Sequence, residues 1–395
     1  MARKTAANFR SSARAVAARI AEKVPEERYF KSAAHHRSVT SRVGLWLGIA
    51  FSICFVTGLL SHFIQHPTSW FFWPSRPVSL YRVTQGAHVI SGIAAIPLLL
   101  AKLWTVYPKL FSRPLISSPV HAIERGSILL LSAAAFFELV TGLFNIFQNY
   151  PWPFYFPTVH YAIAWVAIGS ILVHVAVKLP VIRAGLGEKP TVRPAEVGVS
   201  RRGFLRTTWL VTGAAVVATA GSTIPFLRGV SVLATRSGGG TQGLPVNRTA
   251  MHAGVVARAL DPSWRLEFRG PGGVVHRFSL DDLRAMPQTT ADLPIACVEG
   301  WSVSATWSGV AVAELLRRVG AAAGAEVVVH SLERGSIYAT STLPGEHTRD
   351  PLTLLALRLG GADLDLDHGY PCRIIAPSRP GVLQTKWVGS MAVVT

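Results

Sequence analysis

The chain has 395 residues, of which 50% are hydrophobic and only 15% are charged, and its mean hydropathy is +0.35. Since a soluble domain averages about 25% charged residues, this composition excludes a single ordinary soluble domain and favours a membrane protein of two or three domains. The net charge of +18 lies almost entirely in residues 1–229, and no nucleic-acid-binding motif accompanies it. We therefore expect the charge to orient the chain in a membrane, and we expect no nucleic-acid partner.

Five apolar stretches, each near the length of about 20 residues that crosses a bilayer, follow a basic arm at residues 1–43. They cover residues 44–64, 84–106, 126–147, 159–182 and 208–227. The arm lacks the apolar core of a cleavable signal peptide. Lys and Arg concentrate in the arm, before the third stretch and after the fourth. The positive-inside rule therefore predicts a plasma-membrane protein with a cytoplasmic N-terminus and an extracytoplasmic C-terminal domain.

A weak internal repeat divides the first four stretches into two pairs. Phe55-Val56-Thr57-Gly58-Leu59, near the end of the first stretch, recurs as Leu139-Val140-Thr141-Gly142-Leu143 near the end of the third. Glycine in a membrane helix permits the close approach of another helix or of a flat group such as a porphyrin. We therefore predict a four-helix transmembrane domain over residues 44–182.

Histidines in these stretches suggest a haem site. His160 and His174 lie 14 residues apart, so on a helix they share one face about 21 Å apart along the axis. This spacing resembles that of b-type cytochromes built as four-helix membrane bundles. By that resemblance, His88 and His160 would bind an outer haem b, and His174 with His121 would bind an inner one.

Several residues leave alternatives to this arrangement. The position 14 residues after His88 is Lys102 and not a histidine, so one haem is the alternative to two. His62 and His66 are either haem ligands or part of a site for the quinone pool, and Glu138 would carry protons for a quinone. Helix capping by the histidines is the structural alternative.

The segment before the fifth stretch reads Ser200-Arg201-Arg202-Gly203-Phe204-Leu205-Arg206. Paired arginines followed by Phe-Leu and an apolar run are similar to a twin-arginine export signal, although ordinary positive-inside charge is the alternative. Such signals export domains that have already folded. We therefore predict that residues 183–229 hold a cytoplasmic loop with this motif and a fifth, anchoring span, with the twin-arginine export machinery as a partner.

A Gly/Ser/Thr-rich linker at residues 230–243 leads to residues 244–395, which have the pattern of a globular domain. Strand-like runs at 264–268, 326–330 and 373–376 alternate with helix-like runs at 279–285 and 310–320. No regular βαβ period is present, so an α+β domain is predicted. The fold class is thus multi-domain, with an all-α transmembrane bundle followed by an α+β domain.

Cys297 is the most informative residue of this domain. It lies in Ala296-Cys297-Val298-Glu299-Gly300-Trp301-Ser302, with no second Cys or His at metal-pair spacing, which excludes the usual zinc patterns. A lone thiol is open to three roles, namely ligand of one soft metal centre, nucleophile, or buried apolar residue. Cys372, which follows a His-Gly-Tyr-Pro turn, is predicted to be a core residue.

Four blocks of the domain carry a resemblance. They are Phe278-Ser279-Leu280-Asp281-Asp282-Leu283, the Cys297 block, Trp307-Ser308-Gly309-Val310, and Asp367-His368-Gly369-Tyr370-Pro371-Cys372-Arg373 with Pro377-Ser378-Arg379 and Lys386-Trp387. In this order they resemble the molybdopterin-binding domain of the sulfite oxidase family, in the style of its exported methionine-sulfoxide-reductase-like members. The resemblance implies a Mo-molybdopterin cofactor with Cys297 as the catalytic thiolate ligand of molybdenum. It also implies cofactor contacts from Gly300, Trp301, Ser302, His368, Arg373, Arg379 and Lys386, with Asn247-Arg248-Thr249 at the edge of the site.

Together these features predict a membrane-bound molybdopterin-dependent oxidoreductase. Electrons would pass between the quinone pool, haem b and the outer molybdenum, which would transfer an oxygen atom to or from a small sulfur or nitrogen oxide. Reduction of a sulfoxide is the preferred direction. Two alternatives stay open: the same molybdenum enzyme with a haem-free anchor and a soluble electron carrier, and a non-catalytic membrane protein whose outer domain binds a ligand.

Overall fold

The structure is a computed structural model that describes residues 30, 32–112, 118–188, 199–235 and 239–394. Most of the predicted basic arm and parts of the predicted loop and linker lie outside these residues. The chain divides into two compact units. The first comprises Met1–Ser52, Ile93–Val140 and Ala162–Ala215, and the second comprises Ile53–Gly92, Thr141–Tyr161 and Val216–Thr395.

Five long helices precede the sheet-containing part of the chain. They are α1 (Arg37–Gln65), α2 (Leu80–Val106), α3 (Pro119–Ile146), α4 (Phe156–Gly187) and α5 (Arg201–Ala220). Within the described residues, the four helices long and apolar enough to cross a membrane are α1 to α4, which confirms the first four apolar stretches. Each begins before its predicted stretch, because helical hydrogen bonding continues into polar flanks that hydropathy does not mark.

The fifth helix does not have the predicted bounds. The sequence pattern places it at residues 208–227, whereas α5 begins at Arg201 and ends at Ala220. The arginine pair therefore lies inside the helix and not in a loop before it. Ser200 explains the early start, because its hydroxyl accepts a hydrogen bond from Gly203 N at 3.1 Å, as an N-cap residue does. Membrane crossing by α5 stays a prediction.

The first unit has a small apolar core built by α1, α2 and α3. Its buried members include Ala50, Phe51, Leu98 and Ala135, and the small side chains among them let the helices approach closely. Near the start of α1, the Arg42 guanidinium donates to backbone carbonyls at the end of α4, among them Glu188 O at 2.8 Å. These bonds satisfy carbonyls that a helix end leaves without partners.

The second unit contains two five-stranded sheets. Their strands are β1 (Leu266–Arg269), β2 (Val275–Phe278), β3 (Gln288–Ala296), β4 (Ser302–Ala311), β5 (Val327–Ser331), β6 (Thr340–Leu343), β7 (Leu354–Leu359), β8 (Ala362–Asp363), β9 (Arg373–Ile375) and β10 (Val388–Val393). One sheet has the order β2-β1-β10-β5-β6, and the other has the order β3-β4-β7-β8 with β9 paired to β7. The β1–β10 pair is parallel, and the remaining pairs are antiparallel.

Short helices join these strands, namely α6 (Val256–Ala259), α7 (Leu280–Ala285), α8 (Val312–Arg318) and α9 (Gly345–Arg349). A capping box begins α7, because Ser279 accepts from Asp282 N while the Asp282 carboxylate accepts from Ser279 N. The mixture of strands and short helices confirms the α+β prediction. The β3–β4 hairpin was not predicted, since its residues lack a strict alternation of apolar and polar side chains.

Candidate functional site

Cys297 lies in the loop of the β3–β4 hairpin. The last paired residues are Ala296 and Ser302, and Cys297 N donates to Trp301 O at 2.9 Å, which closes the loop tightly. Gly300 has a φ of +90°, and a Cβ atom there would lie 2.9 Å from Val89 Cγ2. Glycine is therefore required at position 300, because other residues rarely adopt this φ and because a Cβ atom would contact Val89 too closely.

The sulfur of Cys297 has a donor aimed at it. Asn247 Nδ2 donates to Cys297 Sγ at 3.0 Å, while Asn247 Oδ1 accepts from Trp301 Nε1 at 3.0 Å. The indole thus orients the amide so that its N–H meets the sulfur. Cys297 itself is only 4% exposed. A donor at a buried sulfur favours the charged thiolate, which is the form that binds metals.

Two basic side chains of the second unit, Arg373 and Arg379, are buried, and Lys386 is half-buried with the carboxylates of Asp367 and Glu333 as charged neighbours. Arg373 donates to His368 O and Gln384 O, Arg379 to Leu383 O and Thr342 O, and Lys386 to Arg248 O and Asp367 O. Every one of these acceptors is a backbone carbonyl. Burial lowers the pKa of Arg373 to about 9, of Arg379 to about 10 and of Lys386 to about 7. Buried cations in this condition are stabilised when an anion binds beside them.

Buried polar atoms near these cations also lack hydrogen-bond partners. Among the residues that the structure describes, they include Arg373 Nε and Gln384 Oε1. Burial, and after it the charge of Arg379, lowers the pKa of His347 to about 4. Unsatisfied atoms of this kind are costly unless a ligand supplies partners. The sequence pattern did not place His347, because an isolated histidine on a short helix has no distinguishing neighbours.

The predicted residues fall into connected groups. His368 is buried, and its Nε2 donates to Thr241 O at 2.6 Å. Burial lowers the pKa of His368, and the charges of Arg373 and Lys386 lower it further, whereas the bond to Thr241 O raises it. The Arg373 guanidinium lies over the Trp307 ring, 5.2 Å from its centroid, and Trp307 belongs to the same core cluster as Cys297. Ala296, which directly precedes Cys297, forms a parallel bridge with Pro380. Arg379 directly precedes Pro380, so Arg379 is one residue from this bridge.

A second arrangement of side chains lies within the apolar helices of the same unit. The rings of His88 and His160 lie edge to face, with centroids 6.5 Å apart and planes at 75°. Thr57 Oγ1 lies 3.3 Å from His88 Nδ1, and Thr141 Oγ1 lies 3.2 Å from His160 Nδ1. These two threonines are the equivalent residues of the sequence repeat.

The glycines of the repeat lie against the same two rings. A Cβ atom on Gly58 would be 3.1 Å from His88 Cε1, and one on Gly142 would be 3.8 Å from His160 Cε1. His88 Nδ1 also donates to Cys54 O at 2.9 Å. Each repeat therefore contributes a Thr-Gly pair that lies against one histidine ring, with the threonine hydroxyl beside Nδ1.

The other predicted histidines are placed differently. His121 is the third residue of α3, and its Nε2 accepts from Arg125 Nε at 3.3 Å. His174 lies in α4, where Lys102 and Lys178 are charged neighbours. The His62 ring stacks on Tyr161 with centroids 3.7 Å apart and on His66 at 4.6 Å. Among the described residues, no group of three or more His, Cys, Asp or Glu side chains is arranged to hold a metal ion.

A family model identifies the sheet-containing part of the chain, and curated relatives match about a third of the chain. Residues 252–395 match the protein family described as the oxidoreductase molybdopterin binding domain. The putative protein-methionine-sulfoxide reductase subunit YedZ1 of Azospira oryzae is 34% identical over 131 residues, which cover 33% of this chain and 49% of that protein. Mitochondrial sulfite oxidase of Homo sapiens is 30% identical over 163 residues, covering 34% of this chain and 30% of that protein.

A third relative is the catalytic subunit MsrP of the protein-methionine-sulfoxide reductase of Ralstonia nicotianae. It is 29% identical over 136 residues, which cover 31% of this chain and 41% of that protein. The chain therefore spans about half or less of the length of these three relatives.

Proposed function

We propose that this chain, whose residues 252–395 form a molybdopterin-binding oxidoreductase domain, is a membrane-bound molybdenum enzyme that reduces a small sulfoxide or N-oxide. Electrons come from membrane quinol by way of haem b. The N-terminus is cytoplasmic, α5 anchors the chain, and the twin-arginine machinery exports the folded catalytic domain. The positive-inside charge pattern and the four apolar helices support this orientation.

The observation that carries the proposal is the combination of one thiol, two buried arginines and one half-buried lysine. The Cys297 sulfur supplies a single soft ligand, and Asn247 supports its charged form. Arg373, Arg379 and Lys386 fit the phosphate of the pterin, which would satisfy both their charges and the unsatisfied Arg373 Nε. When bound, the cofactor supplies oxygen-atom transfer at a metal that changes its oxidation state by two electrons.

The His88–His160 pair fits one haem b. Two metal–nitrogen bonds of about 2 Å each, with about 1 Å from each nitrogen to its ring centre, place facing imidazole centroids about 6 Å apart. The observed separation is 6.5 Å. Gly58 and Gly142 keep side chains away from the two rings, as the approach of a flat group requires. This support applies to one haem, with His174 and His121 retained as the proposed pair for a second.

The reaction balances with quinol as the reductant. One quinol provides two electrons and two protons and becomes quinone. The sulfoxide accepts two electrons and two protons, its S–O bond breaks, and sulfide and water result. Sulfur-oxide chemistry is chosen because the names of the relatives refer to sulfite and to methionine sulfoxide. The match to an oxidoreductase domain disfavours the alternative of a non-catalytic ligand-binding protein.

Metal analysis tests the molybdenum site. The purified full chain should hold about one molybdenum, and Cys297→Ala should lose it. Cys372→Ala is the matched control, since Cys372 is an equally buried thiol that burial keeps neutral by raising its pKa. Wild-type protein without molybdenum, or equal loss in both variants, would refute the assignment.

Optical spectra test the haem, and a substrate screen tests the reaction. Dithionite-reduced membranes should show a b-type α-band that disappears in His160→Ala and persists in His276→Ala, an exchange at a half-exposed position of strand β2. Absence of the band in wild type would leave the haem-free anchor with a soluble carrier. With a reduced viologen as donor, sulfoxides and N-oxides should be reduced, and activity towards neither class would reject the proposed substrate.

A further inference from the structure

The Cys297 loop is held by side chains from the apolar helices. Gln85 Nε2, in the second turn of α2, donates to Val298 O at 3.1 Å, and Asn145 Nδ2, in the last turn of α3, donates to the same oxygen at 3.3 Å. Val298 follows Cys297 directly. Both lone pairs of this carbonyl are thus used by two different helices.

The far side of the loop is held as well. Arg82 Nε donates to Ser302 Oγ at 2.7 Å and its NH2 donates to Ser304 Oγ at 2.8 Å. Thr223 Oγ1 donates to Gly300 O at 2.6 Å. The backbone of the segment after α5 contributes too, since its carbonyl at residue 222 accepts from Ser302 N at 2.8 Å.

A separate contact holds the segment that carries Arg379. In the connection between α1 and α2, Trp73 Nε1 donates to Ser378 O at 2.8 Å, and the backbone carbonyl of Val78 accepts from Ser378 N at 2.9 Å. Ser378 precedes Arg379 directly. Both segments proposed to contact the cofactor are therefore fastened to the helical part of the same unit.

An ion pair also joins the connection between α1 and α2 to the sheet-containing part of the chain. The Arg76 guanidinium binds the Asp350 carboxylate with two bonds of 2.8 and 2.9 Å. Burial alone would raise the pKa of Asp350, but the bonds from Arg76 and from Leu352 N outweigh it, and the pKa lies below its ordinary value. Two parallel bonds between planar groups fix orientation as well as distance.

We infer that the N-terminal turns of α2 and the last turn of α3 are positioning elements for the molybdenum thiolate. Gln85 and Arg82 act on Cys297 through Val298 and Ser302, and the loop stays seated on them throughout turnover, so the catalytic domain does not swing on its linker. This inference rests on the proposed function. Its consequence is a constant separation between the His88 site, one turn along α2 from Gln85, and the Cys297 sulfur.

A matched pair of variants tests the positioning role. Gln85→Leu removes the donor to Val298 O. Gln65→Leu is the control, because Gln65 is half-buried on α1 and, in the part of the chain that the structure describes, its side chain bonds within its own helix, to Ser61. With molybdenum content retained, Gln85→Leu should change the Mo(V) electron paramagnetic resonance spectrum. It should also lower the viologen-driven kcat by about fivefold at an unchanged KM, as the loss of one hydrogen bond of ordinary strength predicts. Gln65→Leu should match wild type in all three readouts.

Hydrogen exchange of the wild-type full chain provides a second measurement that needs no variant. If the loop stays seated, the hydrogen-bonded amides of Cys297, Gly300 and Ser302 should exchange as slowly as those of β7 in the presence of quinol and sulfoxide. Exchange as fast as that of residues 239–243 would overturn the inference, as would a Gln85→Leu protein identical to wild type. A wild-type chain that contains no molybdenum would instead refute the proposed function, so the two failures are distinguishable.

Discussion

The Asn247–Cys297 hydrogen bond predicts a measurable effect on the molybdenum that we propose at Cys297. In the structure Asn247 Nδ2 lies 3.0 Å from Cys297 Sγ, and the Trp301 indole holds the amide in that orientation. Asn247→Leu keeps a side chain of similar size and removes the donor. A hydrogen bond to a charged group contributes about 1.5–3 kcal/mol. The reduced metal draws less electron density from the thiolate, so the sulfur is a better hydrogen-bond acceptor in the reduced state. The hydrogen bond from Asn247 is therefore stronger in the reduced state and stabilises that state.

The size of the shift follows from this argument. If the hydrogen bond loses about half of its energy when the metal is oxidised, its energy differs by about 1 kcal/mol between the two oxidation states. This difference corresponds to about 40 mV for one electron. Asn247→Leu should therefore lower the Mo(VI)/Mo(V) midpoint potential by roughly 30–60 mV, measured by redox titration with paramagnetic resonance detection. Trp301→Phe, which removes the indole that orients the amide, should lower it by a smaller amount.

Asn149→Leu is the control for these measurements, since Asn149 is exposed and only its backbone N–H is bonded. Its potential should equal that of wild type. An unchanged or raised potential in Asn247→Leu, with molybdenum still bound, would show that the amide does not act on the sulfur and would refute the reasoning.

Three further changes have expected outcomes. Because burial lowers the pKa of Lys386 to about 7, against about 10.4 in an unfolded chain, the folded cofactor-free protein binds fewer protons between these values. Its thermal unfolding midpoint should therefore rise from pH 7 to pH 9.5, and an equal rise in Lys386→Met would contradict this. Asp350→Asn should destabilise the chain by about 1–2 kcal/mol, which is less than for a fully buried pair because Arg76 is half exposed. The effects of Asp350→Asn and Arg76→Met on thermal unfolding should be less than additive in the double variant. Strict additivity would argue against the ion pair. Thr57→Val removes an acceptor from His88 Nδ1–H and should raise the midpoint potential of the proposed haem by about 20 mV in an optical titration, whereas a fall would count against the assigned hydrogen bond.

Local features of the sequence were enough for the architecture. Membrane-crossing length, apolar composition and strand or helix periodicity are properties of neighbouring residues, so the four apolar helices and the α+β domain were predictable. The bounds of α5 were not, because an N-cap such as Ser200 begins a helix before hydropathy changes. The β3–β4 hairpin was missed for a related reason. Its pairing depends on β7 beside it, and not on its own alternation of side chains.

The residues of the candidate site were likewise predictable in part from the sequence. The sequence alone determined that Cys297 is the residue of interest, since its block and the later ones resemble a known domain, and that His88 and His160 are candidates for one haem. Only the tertiary structure decided which partners these residues have. Asn247 reaches Cys297 across 50 residues of chain, and the guanidinium groups of Arg373 and Arg379 are buried with backbone carbonyls as their hydrogen-bond acceptors. Burial and long-range contacts arise when distant segments pack together, and that information is not present in any one stretch of sequence.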